Sequence, residues 1–104
     1  MFKEITTTEL HKLLGEKKAG SVIVDVRFPF EVKSGKIPGA INIPMNDIPA
    51  RAEELRSYDT IYLVCQSGGR SMLTATQLDM MGFGSVYNMT GGMRLWREQG
   101  YPIE

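Results

Sequence analysis

A chain of 104 residues holds enough apolar sequence for one hydrophobic core and not two, so residues 1–104 are expected to form one domain with any active site built on that core. Its 12 basic and 12 acidic residues cancel without a long run of either sign, which leaves no electrostatic footprint for nucleic acid. No apolar stretch approaches the ~20 residues of a membrane span, Met1-Phe2-Lys3-Glu4 lacks the apolar core of a secretory signal, and a lone cysteine excludes an internal disulfide; together these point to a reducing, cytoplasmic setting.

The first element is a helix. In Ile5-Thr6-Thr7-Thr8-Glu9-Leu10, Thr6 and Glu9 have the spacing of a capping box, and Ile5 and Leu10 that of a hydrophobic staple. Leu10, Leu13 and Leu14 continue at helical spacing, and the pattern predicts a helix running to Gly20. The only histidine, His11, has no Asp, Cys or second His at ligand spacing, so it is read as a surface residue and no metal site is expected.

Val22-Ile23-Val24-Asp25-Val26 is apolar without alternation except at Asp25, the pattern of a strand buried on both faces. A helical turn is expected from Pro29 to Ser34, ending at Gly35, and Ile37 to Pro44 reads as a turn followed by a short strand. Asp47 to Leu55 reads as a helix with Pro49 in its first turn. A strand from Ile61 delivers Cys65, and the helix after it, from near Ser71 to Gly82, carries Met72, Ala75, Leu78 and Met81 on one apolar face. Ser85 to Met89 is a further strand, and Gly91-Gly92 opens a last helix through Trp96 and Gln99, stopped by Gly100 and Pro102. Alternating strands and helices predict an α/β fold with a parallel sheet covered on both faces.

The segment with chemistry is Cys65-Gln66-Ser67-Gly68-Gly69-Arg70-Ser71. A strand end, two glycines and a helix start place the sulfur where open α/β folds have their crevices, with helix N–H groups aimed at it. Gly68 and Gly69 are expected to curl the backbone into a nest, and Arg70 to add a charge that favours thiolate. Asp25 and Arg27, charged at the end of a buried strand, are read as structural, with Glu31 within reach of Arg27. Trp96 is read as a core anchor, Gly91-Gly92 as a close backbone approach to the active loop, and Met72 and Met93 as residues that could rim the pocket.

Four pieces in this order resemble a single-domain rhodanese: Asp25-Val26-Arg27 with Glu31, Gly35-Lys36-Ile37-Pro38-Gly39-Ala40-Ile41-Asn42-Ile43-Pro44, Cys65 to Arg70, and Gly91-Gly92 with Trp96. The resemblance implies a rhodanese-like fold with a central, mostly parallel, five-stranded sheet. It implies a sulfurtransferase in which Cys65 takes a sulfane sulfur from thiosulfate or a persulfide donor, holds it as a persulfide, and passes it to cyanide, a thiol or a protein cysteine. Gln66, Ser67, Gly68, Gly69, Arg70 and Ser71 would bind the substrate, Asp25, Arg27 and Glu31 would support the site, and no cofactor would be needed. Lys36 stands where the family often has histidine, which bears on charge at the rim.

Partners would be small sulfur donors, thiol acceptors and protein persulfides; nucleic acid and membrane are not expected, and the oligomeric state is open. With no second cysteine, an external molecule must discharge the sulfur. The competing readings are a cysteine-dependent phosphatase or arsenate reductase, whose related loop has one more residue than the four between Cys65 and Arg70, and a carrier that holds persulfide without turnover.

Overall fold

The chain opens with a strand that the residue pattern does not announce. In the computed structural model, which describes residues 1–16 and 19–104, β1 (Lys3–Ile5) pairs in parallel with β5 (Val86–Met89), Ile5 lying opposite Met89. Only Ile5 of the three is buried, and so short an edge strand leaves no alternation to read. The capping box forms as expected: Glu9 N–H donates to Thr6 Oγ1 at 3.0 Å and Thr6 N–H to Glu9 Oε1 at 2.9 Å, starting α1 (Thr7–Glu16). Ala19 and Gly20 form a turn, with Gly20 at φ 84°, and the expected continuation through Lys17 and Lys18 lies outside the described residues.

Strand β2 (Ser21–Asp25) leads to α2 (Pro29–Val32) and β3 (Ile41–Asn42). The helix expected over 47–55 is instead a chain of tight turns: a 3-10 turn at Met45–Asp47, α3 (Ile48–Arg51), and a second 3-10 turn at Ala52–Leu55. The break falls where Arg51 leaves α geometry at φ −114°, after which the last turn tightens. Strand β4 (Thr60–Val64) delivers Cys65 to α4 (Gly69–Met80), and β5 precedes α5 (Gly92–Glu98). Helix α4 starts at Gly69, two residues before the expected Ser71.

The five strands form one sheet in the order β1-β5-β4-β2-β3, with every pairing parallel. Alternate residues feed opposite layers. Val22, Val24, Ile61, Leu63 and Cys65 pack with Ile48, Leu55, Ala75 and Leu78 on the α3–α4 side, while Ile23, Tyr62, Val64 and Met89 pack with Leu10, Met93 and Trp96 on the α1–α5 side. Helices therefore cover both faces of a five-stranded parallel sheet, as predicted.

Strands β2 and β4 lie side by side, and their onward connections part. The path from β2 to β3 buries Ile37 and Ala40 in the α1–α5 layer, whereas the path from β4 to β5 runs through α4 on the other face. This divergence is a topological switch point, and the crevice outside the carboxyl ends of β2 and β4 is where such sheets bind ligands. Asp25 closes one of these strands and Cys65 follows the other. No helix among the described residues is long and apolar enough to cross a membrane.

The capping box gives a direct stability test. Thr6→Ala removes one of its two bonds and is expected to lower unfolding free energy by about 1 kcal/mol in urea titration. No loss would mean that β1 pairing alone fixes the helix start.

Candidate active site

Cys65 is only 1% exposed, at the bottom of a ring of donors. Gly68 N–H donates to its Sγ at 3.0 Å, Ser71 Oγ lies 3.3 Å away, and the backbone N–H groups of Ser71 and Ser67 also act on it. Burial opposes ionisation of the thiol. The Ser71 hydroxyl and the backbone groups of Ser71, Gly68 and Ser67 outweigh it, so Cys65 ionises below its ordinary value. The expected nest is present, made of a hydroxyl and peptide dipoles.

Its geometry is set from outside. Met93 N–H donates to the Cys65 carbonyl at 2.8 Å and Arg94 N–H to the Gln66 carbonyl at 3.0 Å, so the first turn of α5 draws both carbonyls toward itself. In a trans peptide the following N–H points the other way, which turns the N–H groups of Gln66 and Ser67 away from α5. Gly91 (φ 81°) and Gly92 (φ 61°) are both left-handed, and a Cβ on Gly92 would stand 2.5 Å from Gln66 C and 2.7 Å from the Cys65 carbonyl oxygen. The close approach read from the paired glycines is thus a contact with the active loop itself.

Within the loop the two glycines differ. Gly68 caps α4 with φ 101°, a conformation that needs glycine, and its amide reaches the sulfur. Gly69 already belongs to the helix, has no positive φ, and has open space where a Cβ would sit, so the curl expected of both belongs to Gly68 alone. Gln66 and Ser67 are exposed, and Ser71 is buried against the sulfur.

Arg70 has a partner that its expected role did not include. Its guanidinium meets the Glu31 carboxylate in a two-pronged pair at 2.7 and 2.8 Å, which balances much of its charge; it still interacts with the charge on Cys65, while the Ser71 hydroxyl and the loop amides favour the thiolate most. The Arg70 pair, then burial in opposition and the Phe28 N–H bond, hold Glu31 down at about 2. Glu31 offers Arg27 only its backbone carbonyl, at 3.4 Å, in place of the side-chain pairing that their spacing suggested. Arg27 pairs with Asp25 at 2.7 Å, both fully buried, and reaches the Gly35 carbonyl at 2.9 Å. Asp25 also accepts the Arg27 N–H at 3.1 Å.

Elsewhere, Met72 is 44% exposed beside the loop, off the apolar face expected of its helix, while Met93 lies in the core and rims nothing. Trp96 is fully buried, with Nε1 donating to the Pro102 carbonyl at 2.7 Å. His11 is half-buried, stacked on Tyr101 at 4.1 Å and edge-on to Trp96, where a surface residue was expected. Lys36 Nζ pairs with Glu104 at 3.6 Å, which ties the charge that replaces the frequent histidine to the C-terminal segment. Sequence reasoning missed Asn88, a buried amide whose Oδ1 meets the Ser71 hydroxyl. A polar residue in an otherwise apolar strand was the only available signal.

Two variants separate the glycine roles. Gly92→Ala is expected to displace the loop and slow Cys65 alkylation at least tenfold, whereas Gly69→Ala should stay within about twofold of wild type. Stability against pH tests the ion pair. A carboxylate lowered on folding contributes stability above its ordinary 4.5 that is lost as pH falls toward about 2. Glu31→Gln should remove on the order of 2 kcal/mol at neutral pH and flatten that acid limb in urea titrations.

The sequence and the fold are similar to those of known proteins. The rhodanese-like domain family matches residues 6–99, from the capping box to the end of α5. A sulfurtransferase of Allochromatium vinosum is 35% identical over 103 residues, 99% of this chain and 95% of that protein. Thiosulfate sulfurtransferase GlpE of Stutzerimonas stutzeri is 32% identical over 99% of this chain and 91% of its own length. Among solved structures, a Rhodopseudomonas palustris protein of unknown function, described as a possible tyrosine phosphatase, superposes with a TM-score of 0.90 at 29% identity, over 99% of this chain and 85% of that one. A match along nearly the whole chain, joined to relatives matched over nearly their full lengths, makes this chain a member of the rhodanese-like domain family.

Proposed function

We propose that this protein is a sulfurtransferase that carries a sulfane sulfur on Cys65. The observation that carries the reading is the convergence of the Gly68 N–H, the other loop amides and the Ser71 hydroxyl on one sulfur atom. Such a ring stabilises thiolate before transfer and the anionic outer sulfur of a persulfide after it, as an oxyanion hole stabilises oxygen. The Cys65 thiolate attacks the outer sulfur of a donor such as thiosulfate. A Cys65–sulfur bond forms, the donor's sulfur–sulfur bond breaks, and sulfite leaves with the electron pair. An acceptor thiolate or cyanide then attacks the outer sulfur and returns Cys65 as thiolate. Gln66 through Ser71 bind the sulfur being moved, and Asp25, Arg27 and Glu31 support the loop.

The acceptor comes from outside, because the chain has no other cysteine. A free nucleophilic thiol suits a reducing compartment such as the cytoplasm. Donor and acceptor can be small molecules or protein persulfides, and relatives named as sulfurtransferases support the class of reaction.

Likeness to a possible tyrosine phosphatase makes phosphate-ester hydrolysis the reading to beat. Two features oppose it. Only four residues separate Cys65 from Arg70, and Arg70, the arginine that would grip a phosphate, already holds the Glu31 carboxylate, which would repel one.

Mass spectrometry of the intact protein after thiosulfate is expected to show a gain of one sulfur atom, removed by a thiol or cyanide and absent in Cys65→Ser. Repeated turnover with cyanide would mark an enzyme, and a single discharge a carrier. Hydrolysis of an aryl phosphate without persulfide formation would reverse the assignment.

A further inference from the structure

The Ser71 hydroxyl has one proton and three neighbours able to accept it: Cys65 Sγ at 3.3 Å, the Gly68 carbonyl at 3.2 Å and Asn88 Oδ1. The Gly68 carbonyl also receives the Met72 N–H at 3.1 Å, and the sulfur and the amide are the two side-chain acceptors. Asn88 lies on β5, is 1% exposed, and sits opposite Leu63 of β4.

A hydroxyl donates one hydrogen bond and accepts two. While its proton rests on Asn88 Oδ1, Ser71 can offer the sulfur only lone pairs, which suit S–H and oppose thiolate. If the amide turns by half a rotation, its Nδ2–H donates to Ser71 Oγ and the hydroxyl proton is released to the sulfur. We propose that Asn88 is a positioning residue for Cys65, its amide directing the Ser71 proton toward Asn88 when the sulfur is a thiol and toward the sulfur when it is a thiolate. The one proton lost in this change is the thiol's, taken up by water. No other bond breaks, and no oxidant or reductant takes part. Asn88 makes no hydrogen bond to the sulfur; it acts through Ser71, the hydroxyl that most favours ionisation of Cys65.

Most of the charged groups on the surrounding elements have described partners, Arg97 of α5 bonding to the Ser34 and Gly35 carbonyls. Arg70 of α4 holds Glu31 of α2, Arg27 holds Asp25 at the end of β2, and Arg94 of α5 lies 3.5 Å from Glu98. None of them is altered by a substitution at 71 or 88. The inference rests on Cys65 being the reactive thiol of the proposed sulfurtransferase, and its test does not depend on any sulfur donor.

The experiment is the pH dependence of iodoacetamide alkylation in the wild type, Asn88→Leu, Ser71→Ala and the double variant, with circular dichroism as the check on folding. Ser71→Ala is expected to raise the midpoint by about half a pH unit or more, Asn88→Leu to lower it by removing the acceptor that competes with the sulfur for the hydroxyl proton, and the double variant to match Ser71→Ala alone. An unchanged midpoint in folded Asn88→Leu, or two shifts that add, would overturn the proposal. Should Asn88→Leu fail to fold, the side-chain NH2 signals of Asn88 in 15N-labelled wild type decide the matter. They are expected to move through the Cys65 titration and to stay fixed in Cys65→Ser, and signals that ignore the titration would overturn the proposal. Absence of persulfide together with the expected midpoints would sink the sulfurtransferase reading and leave the relay standing.

Discussion

Two backbone hydrogen bonds, from Met93 N–H to the Cys65 carbonyl and from Arg94 N–H to the Gln66 carbonyl, hold the active loop in its shape. A loop is free to point either its carbonyls or its amides at its own centre, and carbonyls there would destabilise an anion. The start of α5 removes that choice by taking the carbonyls for itself, and planarity of the peptide does the rest. The two helix starts near the site therefore serve opposite ends. Helix α4 presents amides to the sulfur, and α5 spends its amides on the loop. Gly92 follows from this, because only a residue without Cβ lets the second helix come so close to the loop, whereas Gly91 is required by its φ of 81° and by the Leu95 side chain that a Cβ would meet.

A second brace comes from charge. The Asp25–Arg27 pair is buried, a placement that costs desolvation unless hydrogen bonds satisfy both ions. Arg27 meets the condition by spending its remaining donors on the carbonyls of Glu31 and Gly35, which fastens the α2 turn to the end of β2. Asn42 Nδ2 adds bonds to the Asp25 and Arg27 carbonyls at 2.9 Å each. So held, the turn presents Glu31 to Arg70, and strain in the active loop is resisted from two sides: α5 on its carbonyls and α2 on its arginine.

Legibility in the sequence followed from how local each cause is. The capping box, the doubly buried strands and the strand-to-helix step at Cys65 depend on neighbours within a few positions, and each appears in the structure as expected. The three-residue edge strand β1 depends on distant β5, so nothing in Lys3 or Glu4 announces it. The partner of Glu31 was misread for the same reason: Arg27 is four residues away and Arg70 is 39, and only the adjacency of β2 and β4 decides between them. Asn88 was invisible because its importance comes from Ser71, 17 positions back across a helix.

With Arg70 paired to Glu31, the groups that most favour the Cys65 thiolate are one hydroxyl and oriented amides, and the balanced charge of Arg70 acts beside them. Fixed dipoles act at short range and converge on a point, whereas a free guanidinium would attract any anion that reached the mouth. A site of this kind discriminates by where charge sits in the bound group more than by how much it carries. The outer sulfur of a persulfide places its charge on one large atom at the centre of the ring. A phosphate distributes its charge over several oxygens, some of which would fall near the Glu31 carboxylate. The proposed preference for sulfur over phosphate thus rests on the Glu31–Arg70 pair, which occupies the cation a phosphate would need, and on the short loop, whose donors meet at a single atom.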